Sequence, residues 1–404
     1  MSVAVGELEL PGFEYLDSTL RGERFHAEMR ELREAGWLAS MPLGYVVLDR
    51  EAGEFFLRSR SFTFPGMKIA EIFGIEDGPL YEEMRRNILH INGADHARLR
   101  GLVNPSFTPR AAERWRPAMR GFLGELLDAL PADGRCDFVG AVTKPYPSLV
   151  IATVLGAPLE DAPRLHEWSN WIQRQFDAPT LMAERPRIER HVTELYAYLD
   201  ALLATRRDDP GDDLISQLLT AEAEGDRLSD VELVNLVLDV LIGGIDTTQS
   251  QLAHAVRLLA EHPDQWALLR EDPSRAPAAV EEALRWEPIT PFTARILTEE
   301  VAYRDVVFPK DTVLLICAHS ANRDVEGGDA FDVAAARDAG KPLTFGAGIH
   351  YCLGANLARA ELQEGLRLLA ERVETIALDG EPVYEGVQGV YGMRALPVRL
   401  TFAS

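Results

Sequence analysis

A cysteine at the end of a glycine-rich loop is the feature that most constrains this chain. Cys352 lies in the stretch 345–354, and the helical run 355–369 begins directly after it. Gly346 and Gly348 permit backbone angles that other residues resist, so the loop can fold tightly under a flat ligand. A thiolate at this position would lie near the positive end of a helix dipole, which predicts a lowered pKa for Cys352.

The neighbours of Cys352 suggest what that thiolate could bind. His350 adds a basic or hydrogen-bond-donating side chain two residues before the sulfur. A thiolate in a donor-rich loop, with room for a planar ring above it, suits axial ligation of haem iron. The alternative for a lone cysteine is a small, buried hydrophobic side chain with no chemical role.

The whole loop extends this argument. Residues 345–354 read Phe-Gly-Ala-Gly-Ile-His-Tyr-Cys-Leu-Gly. They resemble the cysteine loop of the haem-thiolate monooxygenases, the cytochromes P-450: Phe, Gly, any residue, Gly, any residue, a basic residue, any residue, Cys, an aliphatic residue, Gly. All positions are met, and such a match is highly specific. The resemblance implies haem b (iron protoporphyrin IX) with Cys352 as axial metal ligand, O2 as co-substrate, and cofactor contacts from Phe345, Gly346 and His350.

A long apolar helix is predicted in the middle of the chain. Ser229 and Glu232 form the pattern of a capping box, and apolar residues follow at helical spacing. The pattern continues to His262-Pro263, which predicts one helix of about 50 Å at 1.5 Å per residue. An apolar helix of that length must cross the centre of the molecule.

The middle of this predicted helix contains poor helix formers. Two glycines at 243 and 244 cost about 1 kcal/mol each relative to alanine, and threonine side chains can bond to backbone carbonyls and open the helix. One alternative is a tolerated imperfection. The stretch resembles the oxygen-binding groove of the cytochromes P-450, which implies catalytic roles for Thr247 as hydrogen-bond donor and Asp246 as proton relay. The same resemblance places Gly244 against the cofactor.

Asp239 lies on the same helix face as the groove. Asn235, Asp239, Gly243 and Thr247 follow each other at intervals of four residues. A carboxylate above a haem pocket would favour a substrate with an amine or several hydroxyls, because a buried charge needs a partner. The alternative is that Asp239 pairs with an arginine outside the pocket. The resemblance implies a substrate pocket formed by Asp239, Ile242, Gly243, Ile289, Phe292 and Val390.

Basic residues elsewhere are candidates for the haem propionates. His96 and Arg100 are four residues apart, so they share one face of a helix that we predict to open with Asp95 as its cap. A solvated charged face is the alternative. The resemblance implies that both residues bind propionates and that Arg295 does so as well.

Glu282 and Arg285 form a candidate structural pair. At i, i+3 they face the same way and can form a bidentate ion pair, although surface pairs at this spacing are common. Their place in the chain resembles the Glu-x-x-Arg core pair of the cytochromes P-450, which holds the cysteine loop from behind. That family usually adds a basic residue where this chain has Ala330, and we consider Arg323 or Arg337 as substitutes.

Composition limits the partners and the compartment. The net charge of −23 argues against nucleic acid. The chain has no run of about 18 apolar residues and no signal-peptide pattern, so we expect no membrane association. Its three cysteines cannot form a disulfide framework, which favours a reducing cytoplasm. Four arginines stand out in this acidic chain as a docking surface for an acidic ferredoxin, or equally as a solvated face: Arg110, Arg114, Arg116 and Arg120.

The patterns together predict a mostly α fold with a small β region, and the resemblance implies the cytochrome P-450 triangular-prism fold. We expect a single domain over residues 1–404, acting as a monomer. Strands are predicted at about 37–60, 293–315 and 375–402. Residues 58–92 read as a long irregular stretch over the substrate, and 109–130 as one helix.

The implied activity is monooxygenation of a small organic substrate by hydroxylation or epoxidation, in natural-product biosynthesis or catabolism. No reductase domain fits in this length, so electrons would come from a separate ferredoxin and its NAD(P)H-dependent reductase. One alternative is a peroxide-driven peroxygenase of the same fold, although the Asp246-Thr247 pair argues against it. The other is a haem sensor without catalytic turnover, which would need no proton relay.

Overall fold

The prediction of a mostly α fold is confirmed by a computed structural model, which describes residues 2–223, 228–335 and 340–403. The helices within these ranges are α1 (Gly22–Ala35), α2 (Arg50–Arg58), α3 (Gly66–Ile72), α4 (Gly78–Arg86), α5 (Gly93–Val103), α6 (Pro109–Glu113), α7 (Arg116–Asp128), α8 (Pro145–Leu155), α9 (Ala162–Gln173), α10 (Ala178–Asp208), α11 (Leu214–Ala223), α12 (Asp230–Gly244), α13 (Asp246–Glu261), α14 (Pro263–Glu271), α15 (Ala276–Trp286), α16 (Ala318–Ala321) and α17 (Ala355–Arg372). No described helix is both long and apolar enough to cross a lipid bilayer.

The strands form small sheets, and most of them lie in the predicted ranges, whereas Val3–Ala4, Phe62–Thr63 and Arg135–Asp137 lie outside those ranges. They are β1 (Val3–Ala4), β2 (Leu38–Met41), β3 (Gly44–Val47), β4 (Phe62–Thr63), β5 (Arg135–Asp137), β6 (Phe292–Leu297), β7 (Val301–Tyr303), β8 (Val306–Phe308), β9 (Val313–Cys317), β10 (Val373–Leu378), β11 (Val383–Tyr384), β12 (Met393–Ala395) and β13 (Pro397–Phe402). The largest sheet has the order β2-β3-β9-β6-β4. Three smaller sheets have the orders β1-β8-β7, β10-β13-β5 and β11-β12.

The long central helix is interrupted, which corrects the prediction of one continuous helix. The capping box at Ser229 and Glu232 is present, but α12 ends at Gly244 and α13 begins at Asp246. Ile245 between them has φ −88° and ψ −69°. The interruption falls on the run of weak helix formers, and it lies near the centre of the molecule.

Three other predicted segments also differ. The stretch predicted to be irregular, 58–92, contains the helices α3 and α4. The predicted helix 109–130 is divided into α6 and α7 by a turn at residues 114–115. Asp95 is not a cap, because α5 begins at Gly93 after Asn92, so the carboxylate lies in the first turn.

The interrupted helix is surrounded by packed helices. The apolar side chains of α12 and α13 are buried in one hydrophobic core, together with residues of α8, α9, α10, α15 and α17. Burial of this surface stabilises the helices despite their glycines, at roughly 25 cal/mol per Å². α17, which follows the cysteine loop, packs in turn on α7 and α15. The same core therefore includes the two helices of the interruption and the helix that follows the cysteine loop.

Candidate active site

The cysteine loop is closed by its own backbone. The amide nitrogen of Cys352 donates a hydrogen bond of 2.9 Å to the carbonyl of Phe345. Gly348 has φ +74°, and a Cβ there would lie 2.4 Å from the carbonyl oxygen of Leu57. Only glycine fits this combination of left-handed backbone and close approach. The loop is thus fixed against the carboxyl end of α2.

The Cys352 thiol is accessible to a ligand, although protein atoms surround it on most sides. Burial raises the pKa of Cys352, while the backbone amides of Gly354 and Ala355 and the guanidinium groups of Arg100 and Arg359 act in the opposite direction. The prediction of a lowered pKa is therefore wrong for the protein alone, because the cost of moving a charge out of water exceeds the effect of the helix end. The nearby positive groups would favour a thiolate once it has a cationic partner.

The central groove lies on one face of the helix interruption. The Thr247 hydroxyl donates a hydrogen bond of 2.5 Å to the Gly243 carbonyl. A Cβ on Gly243 would meet nothing within 4 Å, so this residue faces open space. A Cβ on Gly244 would lie 2.5 Å from the Ile151 side chain. The two glycines therefore differ: Gly243 opens the groove, whereas Gly244 lets α12 pack closely on α8 and could reach a cofactor only through its backbone.

Asp246 is buried beside the groove, 4% exposed. Its Oδ2 accepts a hydrogen bond of 2.6 Å from the Ser169 hydroxyl, and its Oδ1 accepts one of 3.0 Å from the Asn170 amide. Both partners lie on α9, and no local pattern indicated them, because they precede Asp246 by more than 70 residues. The carboxylate is consequently held by α9 and is connected to a second group that can carry a proton.

Four basic residues from three segments lie close together. The rings of His96 and His350 are in contact, with centroids 4.5 Å apart and planes tilted by 60°. Arg100 donates to the Tyr351 carbonyl, and Arg295 is 4% exposed on β6. His96 Nε2 is buried without a hydrogen-bond partner. His350 Nε2 contacts Asn92 Oδ1 at 3.2 Å. These are the residues that we predicted to bind the cofactor, and the fold brings them to one place.

The electrostatics of these four residues, here called the basic cluster, favour an anion. Burial, followed by the charges of His96, Arg295, Arg100 and His90, lowers the pKa of His350 to about 3. Burial also lowers the pKa of Arg295 to about 10 and the pKa of His96. No acidic side chain of the described residues is among the causes for these three. Positive groups that oppose each other's charge in the interior are suited to bind an anionic group such as a carboxylate.

The Glu282–Arg285 pair is buried and bidentate. Arg285 Nε and Nη2 donate to the two carboxylate oxygens of Glu282 at 2.7 and 2.8 Å. Arg285 also donates to the carbonyls of Gly328 and Ala330, both at 2.7 Å. The position of Ala330 therefore contributes its backbone carbonyl to this cluster.

The structure describes only one of the two arginines that we considered as substitutes for a basic residue at position 330. Arg323 donates to the His319 carbonyl at 3.1 Å and lies over the Trp286 ring. Arg337 lies outside the described residues. Behind the cysteine loop, the Thr344 hydroxyl donates to the Leu284 carbonyl at 2.6 Å. Through this bond, α15 anchors the start of the loop.

The predicted substrate-pocket residues differ in exposure: some are buried and others keep accessible surface. Ile242 is 3% exposed within the main core, and Ile289, 7% exposed, accepts a bond from the Tyr391 amide at its carbonyl. Phe292 is packed among Phe13, Tyr15 and Phe25 at centroid distances of 5.4 to 6.0 Å. Phe292 is therefore packed within an aromatic cluster, and its place in the substrate pocket stays a prediction.

Val390 and Gly243 keep accessible surface. Asp239 is partly exposed as a residue, with its Oδ2 bonded to the Ile88 amide at 3.0 Å. It has no ion pair within the described ranges, so the alternative of an arginine partner outside the pocket is not supported. Asp239 and Gly243 thus share a helix face on which Gly243 is exposed and Asp239 is partly exposed.

The four-arginine surface is largely neutralised by neighbouring acids. Arg114 pairs with Asp212 at 2.9 Å, Arg116 with Glu113 and Glu364 at 2.9 and 3.0 Å, and Arg120 with Glu371. Glu364 and Glu371 lie on α17. The surface therefore flanks the helix that follows the cysteine loop, but with less free positive charge than the sequence alone suggests.

Comparisons with known proteins agree with this geometry. The family model "Cytochrome P450" matches residues 77–382. Luteothin monooxygenase from Streptomyces thioluteus is 36% identical over 395 residues, covering 97% of this chain and 96% of that protein. Erythromycin C-12 hydroxylase from Saccharopolyspora erythraea is 38% identical over 317 residues, covering 77% and 79%. The crystal structure of CalO2 superposes with a TM-score of 0.89 at 29% identity, covering 97% of this chain and 99% of that one.

The chain belongs to the cytochrome P450 family. It is a haem-thiolate monooxygenase of the bacterial type, and the expected fold is confirmed. Members of this family carry haem b on a cysteine thiolate and use O2. The residues of this chain fit that cofactor on three observations: an accessible thiol, an open groove at Gly243, and a basic cluster with an orphaned His96 nitrogen.

Proposed function

We propose that Cys352 ligates the haem iron and that the chain inserts one atom of O2 into a small organic substrate by hydroxylation or epoxidation. The observation that carries the proposal is the position of the basic cluster: Arg100, a member of that cluster, is bonded to the Tyr351 carbonyl, one residue before the accessible thiol. A haem would fit both features, because its iron can bind the Cys352 thiol and its two propionates can bind the basic cluster. The relatives of this chain include a monooxygenase and a hydroxylase, which supports the same reaction class.

Each residue has a separate task in this proposal. The basic cluster binds the propionates, which satisfies the His96 nitrogen and neutralises the mutual repulsion. The thiolate donates electron density to the iron, and the haem supplies the oxidising chemistry once it is bound. The Thr247 hydroxyl, now bonded to the Gly243 carbonyl, can turn to donate into the groove. Asp246 can pass a proton between the Ser169 hydroxyl, to which it is hydrogen-bonded, and the groove.

We predict that Thr247→Ala will separate electron consumption from product formation. Without the hydroxyl, protons should reach the groove without control, so NAD(P)H oxidation should continue while product per NAD(P)H falls about tenfold, or about 1.4 kcal/mol of selectivity. Product and hydrogen peroxide would be measured with a surrogate ferredoxin system. Thr248→Ala is the matched control, because Thr248 is buried and adjacent. Unchanged coupling in Thr247→Ala would contradict the assignment.

The same assay distinguishes the alternatives considered for this fold. Product formed only with hydrogen peroxide would indicate a peroxygenase. Absence of product with any electron source or oxidant would indicate a sensor. Product formed with O2 and reduced ferredoxin supports the monooxygenase that we propose.

We also propose a ferredoxin as the electron donor, with its NAD(P)H-dependent reductase behind it. The four-arginine surface beside α17 supports this partner, because positive charge near the cysteine loop speeds encounter with an acidic protein. Arg114, Arg116 and Arg120 are already paired. Arg110 lies in a cavity of about 380 Å³ with Arg114 and Trp115. Action as a monomer in a reducing cytoplasm and the single-domain organisation remain predictions from the sequence.

We predict that Arg110→Glu will slow electron transfer from ferredoxin about fivefold to tenfold at low salt, because opposite charge chiefly affects association. The difference should shrink as salt is raised, since surface charges are screened within about 8 Å at physiological ionic strength. Stopped-flow reduction of the haem would measure it. Arg30→Glu is the control, because Arg30 is an exposed arginine of α1, a different element. Equal effects of both changes would exclude this docking surface.

A further inference from the structure

Two buried carboxyl groups, those of Glu83 on α4 and Asp239 on α12, have no role in the function proposed above. Glu83 on α4 is 0% exposed. Its Oε1 accepts a hydrogen bond of 2.8 Å from the Asn87 amide, whereas its Oε2 is buried without a partner. A buried carboxylate oxygen without a donor costs free energy, and the cost is larger when the group is charged. Glu83 therefore has unused capacity to accept hydrogen bonds.

Asp239 on α12 is in the same condition. Its Oδ2 accepts from the Ile88 amide, and its Oδ1 is buried without a partner. Ile88 follows α4, so the backbone after Glu83 reaches the carboxylate of Asp239 directly. The proximity of the two acids also appears in their electrostatics, because burial and then the charge of Glu83 raise the pKa of Asp239 well above its ordinary value. Burial likewise raises the pKa of Glu83 to about 7.

The surrounding groups do not neutralise this pair. Tyr196 on α10 donates its hydroxyl to Asn235, one turn before Asp239. Gln175 is buried beside Glu83, and its side-chain amide is, after Asn87, the second hydrogen-bonding group that lowers the pKa of Glu83 against the effect of burial. Arg86, on the same helix as Glu83, pairs with Glu82 at 2.7 Å. Within the described residues, Glu83 and Asp239 have no ion pair, so two adjacent acids from different elements remain without a cation.

We propose that Glu83 and Asp239 together bind a protonated aliphatic amine of the substrate, which places the substrate class among nitrogen bases. This inference rests on the proposed monooxygenase function and deepens it. A bound cation favours the ionised form of both carboxyl groups, and an ionised carboxylate only accepts hydrogen bonds, so the two unpartnered oxygens can take donors from that cation. An ammonium group supplies both the donors and the missing positive charge, whereas a neutral hydroxyl group supplies only one donor and no charge.

The position of the pair also limits where the substrate is oxidised. Asp239 precedes Gly243 by one turn of α12, which corresponds to about 6 Å along the axis at 1.5 Å per residue. An amine held by Asp239 and Glu83 thus leaves the remainder of the substrate extending toward the open surface of Gly243. We expect oxidation at a carbon at least about 6 Å from the nitrogen.

The test compares a cation with a neutral molecule of the same length. Decylamine carries three N–H groups and one positive charge when protonated, and decanamide has the same chain length and no charge. Both are titrated into the haem-loaded protein, and binding is followed by displacement of water from the haem, seen in its absorption band. The wild-type protein should bind the amine at least tenfold more tightly than the amide. Equal affinities, or a preference for the amide, would overturn the proposal.

Isosteric variants identify the residues responsible. Asp239→Asn and Glu83→Gln should each lose at least fivefold to tenfold in amine affinity, with amide affinity changed by less than twofold. Glu82→Gln is the matched control, because it removes the same charge from an exposed neighbour on α4, and it should bind both ligands like the wild type. Equal loss in Glu82→Gln and Glu83→Gln would overturn the proposal. Failure of the proposed function is seen separately, as loss of the thiolate-type carbon monoxide spectrum in the wild type.

Discussion

Replacing Cys352 with alanine is expected to remove the carbon monoxide absorption band of thiolate-bound haem and to reduce turnover at least about 1,000-fold. The spectrum depends on the sulfur–iron bond, and no other described side chain offers an accessible thiol in this loop. A loss of that size corresponds to about 4 kcal/mol of activation free energy. The reduced protein under carbon monoxide, together with product analysis in the surrogate ferredoxin system, measures both effects.

The other two cysteines provide the controls. Cys317 is fully buried in the sheet region, and Cys136 is partly buried on β5. Burial raises the pKa of Cys317 to about 12 and that of Cys136 to about 11, so neither is ready to form a thiolate. Cys136→Ala should keep the band and the turnover. A thiolate-type band in Cys352→Ala would refute the assignment of the ligand.

Cys352→Ala is expected to lose the carbon monoxide band without losing all of its haem. The basic cluster offers the cofactor separate contacts, and propionate binding does not depend on the sulfur. We therefore expect the alanine variant to keep part of its haem with an altered spectrum. Cys352→Ser tests this further, because the serine hydroxyl can replace the sulfur in space but donates less electron density.

Local motifs were readable from the sequence because each depends on residues close together in the chain. The capping box requires Ser229 and Glu232 alone. The pair Glu282 and Arg285 needs one helical turn, and the structure contains it as predicted. The closed turn at Gly348 likewise follows from the backbone freedom of glycine.

Properties set by distant packing were not readable. The two glycines at 243 and 244 look alike in the sequence, and only the position of Ile151 separates the open one from the packed one. The pKa of Cys352 was predicted in the wrong direction because burial depends on the whole surroundings. Glu83 gave no signal at all, since its partner site on α12 lies about 150 residues away. The aromatic packing of Phe292 was not readable either, because its neighbours come from the first 25 residues of the chain.

Arg285→Met is expected to destabilise the fold by about 3 to 5 kcal/mol, the range for removing one partner of a buried ion pair. The side chains of Arg285 and Glu282 are only 7% and 6% exposed. Methionine has a similar length but no donors, so the Glu282 carboxylate loses its bidentate partner. The carbonyls of Gly328 and Ala330 lose a bond each as well. Urea unfolding followed by far-ultraviolet circular dichroism, with haem content in parallel, measures the change.

A second pair in the chain separates burial from mere charge pairing. Arg85 and Glu82 have the same i, i+3 spacing and a distance of 2.7 Å, but their side chains are 52% and 40% exposed. Arg85→Met should therefore cost less than about 1 kcal/mol, as exposed pairs do. Arg285→Lys should fall between the two, because a lysine cannot supply the fork of donors that the carboxylate and the carbonyls share. Equal costs for Arg285→Met and Arg85→Met would mean that α15 does not support the cysteine loop as its bonds indicate.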